Sequence, residues 1–292
     1  MMSFAMIMTC KVLLICLSAP LVSGMIRKMK NIVRMRKGPG ILQPYCDLMK
    51  LFSKEEVVSK NVSWIFYASP AIVFSSGISA LLLILIASPG YQDAGSFAFL
   101  IAAFFVLGLG RFFQALAGID AGSSFGGMGS SREMFISSFA EPAAFISIFV
   151  LCVSGPGTPV FSFFLAAAAL FMVILAETSR IPVDNRETHL ELTMVHEAML
   201  LEYSGPSLGL IELTGHIRQM IFFTMLSWYL FPVARAGSLG WILFGLRIMA
   251  IILAVALVEV SVAKMRLFRV VDFLSFAFFI ALVASIAAGL GV

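Results

Sequence analysis

The chain has 292 residues, of which 60% are hydrophobic and 12% charged, with a formal net charge of +4 and a mean hydropathy of +1.01. No soluble core of this size hides so much apolar surface, so the composition excludes a soluble globular protein. The basic excess is a topology signal rather than a nucleic-acid signal, because no soluble basic domain exists to present a patch.

A spanning helix needs roughly 20 apolar residues. The apolar runs predict about eight transmembrane helices in a single membrane domain, residues 1–292, with spans at about 3–24, 64–88, 97–118, 134–153, 160–176, 208–233, 240–262 and 271–291. The runs are continuous rather than alternating, which excludes a membrane barrel. The expected fold is an all-α integral membrane protein with short cytoplasmic amphipathic helices. The first run lacks a basic n-region and a small-x-small exit, so it reads as a retained span rather than a cleaved signal.

The connector after the first run is strongly basic and includes Arg27, Lys30, Arg34, Arg36 and Lys50. Arg132, then Arg180 and Arg186, then Lys264, Arg266 and Arg269 occupy the third, fifth and seventh connectors, against Arg235 alone on the opposite side. The positive-inside bias places these connectors in the cytoplasm and both termini outside it. Within the first connector, Tyr45, Leu48, Met49 and Phe52 recur at helical spacing, with Asp47, Lys50 and Lys54 on other faces. This predicts a short amphipathic helix, which either anchors in headgroups or forms a docking floor for a soluble partner.

Gly122, Gly126, Gly127 and Gly129 mark the next basic connector as a close-packed turn. It has no Gly-Lys-Ser/Thr, so it is not a phosphate loop. Inside the following run Glu141 precedes Pro142. A carboxyl beside a proline break in an apolar helix is either a packing glutamate or a functional polar site.

The most informative stretch runs from Glu177 to Pro206. It carries Glu177, Asp184, Glu187, Glu191, Glu197 and Glu202, with His189 and His196. Pro182 ends the preceding span. Asp184 and Glu187 resemble a capping box, and Gly205-Pro206 is a stop, which predicts a largely buried helix between them. On such a helix Glu187, Glu191 and Glu202 share one face. Buried like charges favour proton uptake, and ionisable groups at membrane depth point to proton or ion handling; the alternative is a solvated acidic face. Beyond it, Glu212, His216 and Arg218 enter the sixth span. His189 and His196 lack a third ligand at fitting spacing, and Cys10, Cys16, Cys46 and Cys152 form no C-x-x-C pair, so no metal site and no cofactor is expected in this chain.

Three separated motifs then carry a resemblance over essentially the whole length. They are Arg36-Lys-Gly-Pro-Gly-Ile-Leu-Gln43-Pro-Tyr-Cys-Asp47 with Lys50, Lys54 and Glu55; Glu177-Thr-Ser-Arg180-Ile-Pro182-Val-Asp184; and Glu202-Tyr-Ser-Gly205. The chain resembles the subunit 1 family of respiratory complex I and its relatives in membrane-bound NiFe hydrogenases. It is more similar to the hydrogenase-4 component C and formate hydrogenlyase branch, because Glu191 and Glu202 stand farther apart than in the complex I pattern and the basic connector before Gln43 is shorter. The resemblance implies a subunit of an oxidoreductase complex in a prokaryotic inner membrane, with no active site of its own. Its implied partners are soluble iron–sulfur and NiFe-hydrogenase-like subunits, which hold the NiFe centre and iron–sulfur clusters, and antiporter-like membrane subunits. Glu141, Glu177, Asp184, Glu187, Glu191, Glu202 and Glu212 become candidates for a proton path. Gln43, Pro44, Asp47, Lys50, Lys54, Glu55 and Arg180 become candidates for partner docking. The alternative is a quinone-binding subunit of a complex I-type dehydrogenase.

Overall fold

The structure, a computed structural model, describes residues 2–59, 62–87, 94–153, 160–184, 194–230 and 239–291. Among these residues there is no strand. The helices are α1 (Met2–Val33), α2 (Gln43–Phe52), α3 (Trp64–Ile86), α4 (Ala94–Asp120), α5 (Ser124–Val153), α6 (Val160–Glu177), the 3-10 turn η1 (Glu197–Leu200), α7 (Gly205–Leu230), α8 (Leu239–Ser261) and α9 (Leu267–Leu290). Six of them, α1, α3, α4, α5, α8 and α9, are long and apolar enough to cross a membrane, and α6 holds the shorter apolar stretch Phe161–Glu177. Helix α7 has 26 residues but carries Glu212, His216 and Arg218. The chain is an all-α integral membrane protein.

Without water to drive apolar surfaces together, helices in lipid associate through close packing and buried polar contacts. Here α3 lies against α4 and α7, α5 against α6 and α9, and α1 against α7 and α8. Helix α7 is buried along its second half, where Ile217, Ile221, Phe222 and Phe223 fill the main core. Outward faces remain apolar, as lipid requires: Leu13, Phe105, Phe164 and Phe276 are all exposed.

One end of the bundle is laced by hydrogen bonds between connectors. The Met265 N–H donates to the Pro182 carbonyl at 2.9 Å. The Ser63 N–H donates to Asp120 Oδ2 at 2.8 Å. Ser204 Oγ accepts from the Val57 N–H and donates to the Val57 carbonyl, both at 2.8 Å. The same end carries Arg27, Arg34, Arg36, Lys50 and Lys264, so it is the basic end of the molecule.

Three expectations need correction. The glycine-rich segment is not a turn, because α5 begins at Ser124 and Gly126, Gly127 and Gly129 lie within it. Gly126 and Gly129 allow close approach: a Cβ on Gly126 would clash with the Gly118 carbonyl oxygen, and one on Gly129 would sit 2.9 Å from Ala198 Cβ and 3.0 Å from the Val195 carbonyl oxygen. Helix α6 ends at Glu177, before Pro182, through a turn in which Ser179 has φ 50. The acidic connector is not an unbroken helix in its described part, which contains only the single turn η1. The Asp184 carboxylate accepts from the Val195 N–H at 3.1 Å and from Lys264 Nζ at 2.7 Å. Glu187, His189 and Glu191 lie outside the described residues.

Candidate functional site: a buried ionic network beneath a polar chamber

Arg111 is the centre of the site. It lies on α4 nine residues before Asp120, about 13 Å along the helix from the basic end at 1.5 Å per residue. Its side chain is 6% exposed, and three carboxylates converge on it. Nη1 donates to Glu141 Oε1 at 2.8 Å, Nη2 pairs with Glu177 Oε2, and Nε stands 3.9 Å from Glu133 Oε1. Glu133 and Glu141 come from α5 and Glu177 from the last residue of α6. Arg218 of α7 is also buried, and its charge acts on Glu177, Glu133 and Glu141 as well as on Arg111.

The network follows from local structure. Side chains on a helix lean toward its N-terminus, so Glu141 reaches back along α5 toward the level of Arg111. Three carboxylates against two guanidinium groups leave one surplus negative charge when all are ionised. One proton cancels it. In a low-dielectric interior such a surplus is costly, and a proton on any one of the three carboxylates would remove it.

A second network sits closer to the basic end. Glu259 of α8 pairs with Lys30 of α1 at 3.0 Å and with Arg180 Nη1 at 3.1 Å. Arg180 Nη2 donates to Gln219 Oε1 at 3.1 Å, which also accepts from Ser23 Oγ at 2.8 Å. Ser23 Oγ lies 2.8 Å from His216 Nδ1. Ser23, Lys30, Arg180, His216 and Glu259 line a cavity of about 490 Å³ that also receives Arg34, Arg36 and Glu212. A neighbouring cavity of about 300 Å³ shares Arg27, Glu197, Glu212 and His216 with it and adds Asp47, His196 and Tyr203. Together they form a polar chamber at the basic end.

The sequence-predicted residues divide accordingly. Glu141 and Glu177 belong to the Arg111 network, and Glu212 lines the chamber. Asp184 lines the chamber too, where Lys264 holds it. Glu202 is half-buried in the turn before α7 and makes none of the Arg111 contacts among the described residues. Of the docking candidates, Gln43, Lys50, Lys54 and Glu55 are exposed, and Gln43 Nε2 braces Asp47 Oδ1 at 2.8 Å on α2. Pro44 is buried in the first turn of α2, where its missing N–H costs nothing. Arg180 is buried and ion-paired, so it does not reach the surface expected of a docking residue. Helix α2 buries Leu48 but leaves Met49 and Phe52 exposed beside Leu42 and Val57.

Arg111 is not among the sequence-predicted residues, although an arginine inside an apolar run is a functional signal by default. In the sequence Glu133 looks like a helix start, Arg218 like a residue entering a span, and His196 like a metal ligand without its companions. Among the described residues, no group of three His, Cys, Asp or Glu is arranged to hold a metal ion.

The Glu202-Tyr203-Ser204-Gly205 motif proves to be a corner. Tyr203 stacks on Phe66 with ring centroids 4.1 Å apart, and its hydroxyl donates to the Phe66 carbonyl at 3.0 Å. Gly205 has φ +55, and a Cβ there would lie 2.8 Å from the Glu55 carbonyl oxygen. Burial pushes the Tyr203 phenol up to about 12.

Residues 5–289 match the NADH dehydrogenase family. The chain belongs to this family. Within it, the chain is 31% identical to hydrogenase-4 component C of Escherichia coli, over 76% of this chain and 73% of that one. It is 28% identical to formate hydrogenlyase subunit 4 of the same organism, over 85% and 87%. An NADH-quinone oxidoreductase subunit of Rubrobacter xylanophilus is 25% identical, over 84% and 82%. Family members thus include subunits of several oxidoreductase complexes. The fold matches a chain of the membrane-bound sulfane sulfur reductase, an archaeal respiratory membrane complex, with a TM-score of 0.75 at 17% identity, covering 96% of this chain and 98% of that chain.

Proposed function

We propose that this chain is the membrane anchor and proton-coupling subunit of a multisubunit membrane-bound hydrogenase or formate hydrogenlyase complex in a prokaryotic inner membrane. The observation that carries the reading is the Arg111 network: five charged groups from four helices, four of them largely buried and Glu141 open at the bundle face, beneath a polar chamber. An anchor alone has no use for an unbalanced charge in its interior. Glu141 leads outward, since its carboxyl is 46% exposed on the α4–α5 face, in a groove lined by Phe105, Phe112 and Phe145. Glu177 and Glu133 lead inward toward the chamber. Protons taken from the chamber would be held here and passed toward membrane partners of the antiporter-like kind.

Electron transfer belongs to soluble partners carrying the NiFe centre and iron–sulfur clusters. Their docking surface is the exposed apolar rim of the basic end, Met35, Ile41, Leu42, Met49, Phe52 and Val57, interspersed with Lys50, Lys54 and Glu55. Met35 is 94% exposed, an unusual state for methionine unless a partner covers it. The chamber's charged lining suits water and protons better than the apolar ring and tail of a quinone.

Glu177→Gln tests the reading. Glutamine keeps the shape and the hydrogen-bonding capacity but carries no titrating proton near pH 7. Protons moved per electron pair in membrane vesicles should fall sharply with the complex still assembled. Normal coupling would overturn the relay role, and bound quinone or inhibition by quinone-site compounds would instead favour the complex I-type alternative.

A further inference from the structure

The Arg111 network and the chamber are separate cavities of charge, and one side chain touches both. His196 lies in the loop just before η1 and is buried, with its side chain 10% exposed. It lines the smaller cavity of the chamber, beside Glu197 and Glu212. On its other side, Nδ1 is 3.9 Å from Glu133 Oε1, and Glu133 is the acid that faces Arg111 Nε. Nδ1 is buried and, among the described residues, has no partner within hydrogen-bond distance; the Glu133 carboxylate faces it from 3.9 Å. A buried imidazole nitrogen without a partner is unusual and calls for an explanation.

The surroundings hold this ring in place without engaging that nitrogen. Arg132 Nη1 donates to the Met194 carbonyl at 3.0 Å, two residues upstream. The Val195 N–H is held by Asp184. Gly129 lets α5 approach the backbone of Val195 and Met199 directly. The loop is therefore clamped from both sides, and His196 is presented to Glu133 across a gap of little more than one hydrogen bond. A small ring rotation or one bridging water closes it.

We propose that His196 is the proton gate between the chamber and the Arg111 network. The inference rests on the relay reading above and names its entry point. A proton from chamber water binds the ring nitrogen on the chamber side, Nε2, giving an imidazolium. The Nδ1–H bond then breaks as the O–H bond of Glu133 forms, leaving a neutral imidazole and a carboxylic acid that cancels the surplus charge around Arg111 and Arg218. Rotation of the ring, or return of the proton through water, restores the starting tautomer. Imidazole suits the task because it takes a proton on one nitrogen and releases it from the other near neutral pH.

The test compares His196→Gln, His196→Ala and Glu133→Gln in the assembled complex. The readout is protons moved per electron pair in membrane vesicles, so a change in turnover alone does not count. Both His196 variants and Glu133→Gln should lose proton movement. Added imidazole should restore it in His196→Ala, whose vacated site opens to the chamber, and not in Glu133→Gln. Normal coupling in His196→Gln together with loss in Glu133→Gln would overturn the gate and leave the relay standing. Normal coupling in both would overturn the relay itself. Failure of both His196 variants to assemble, or imidazole rescue of Glu133→Gln, would also overturn the gate, the first by assigning His196 to loop structure.

Discussion

At the scale of single residues, Glu259 and Tyr203 show what buried polar groups contribute here. Glu259 pairs with both Lys30 and Arg180. Removing one partner of a buried ion pair strands the other and costs about 3–5 kcal/mol. Glu259→Gln leaves two cations facing a neutral amide, so the amount of chain recovered from membranes should drop severalfold. Glu259→Gln combined with Lys30→Met should recover part of it, and equal losses in the single and double variants would show that the pair is not what matters. Tyr203 is a different case, outside the spans. Burial raises its phenol to about 12, from an ordinary value of about 10. The folded state holds this proton more tightly than the unfolded state. Its stabilising contribution is therefore intact below about pH 10 and is lost as pH climbs toward 12. The ultraviolet difference between wild type and Tyr203→Phe should show one phenol ionising near pH 12; ionisation near pH 10 would mean that the stack on Phe66 is open in solution.

At the scale of elements, two of the three glycines of α5 predict opposite outcomes. A Cβ on Gly129 meets Ala198 Cβ and the backbone at Val195 and Met199 within 3.1 Å, whereas nothing lies within 4 Å of one on Gly127. Gly129→Ala should destabilise the folded chain by about 1–3 kcal/mol through overpacking. Gly127→Ala should be neutral, or stabilise by up to about 1 kcal/mol through helix propensity. Thermal unfolding in detergent measures both, and similar midpoints would contradict the close contact between α5 and the loop before η1. The same elements show where reading the sequence worked. Uninterrupted apolar runs located each long helix among the described residues, because length and hydropathy alone decide a span. The start of α5 was placed late, at 134, because Gly126, Gly127, Gly129, Arg132 and Glu133 look like a polar connector. Their glycines and charges serve packing and ion pairing inside the bundle, and hydropathy does not distinguish that from exposure to water. The loop before η1 was read as a helix because Asp184 and Glu187 mimic a cap, and only the fold shows Lys264 claiming Asp184.

At the scale of the whole molecule, six of the long helices among the described residues are apolar enough to cross a membrane, and the laced connectors share one end, which the positive-inside bias assigns to the cytoplasm. In membranes holding the chain without its soluble partners, Met35→Cys and Ala263→Cys, both at exposed positions of that end, should react with an impermeant thiol reagent only from the cytoplasm, in a background without the four native cysteines. Gly291→Cys should react only from outside. Labelling of residue 35 and residue 291 from the same side would refute the arrangement. The functional network could be only half read in advance. Glu177 and Glu141 stood out as carboxylates in or beside apolar runs. Their meeting with Arg111, Glu133 and Arg218 depends on how four helices pack, which no periodicity along the chain encodes.

Glu259 has one further consequence. A lone buried pair resists separation, because parting it exposes two bare charges to a poor dielectric. With two cations on one anion, Arg180 can withdraw while Lys30 keeps the anion covered. The tether between α8 and the loop that follows α6 is thus a hinge pin with a spare. Through Glu259, Lys30 holds α1 to α8 independently of Arg180.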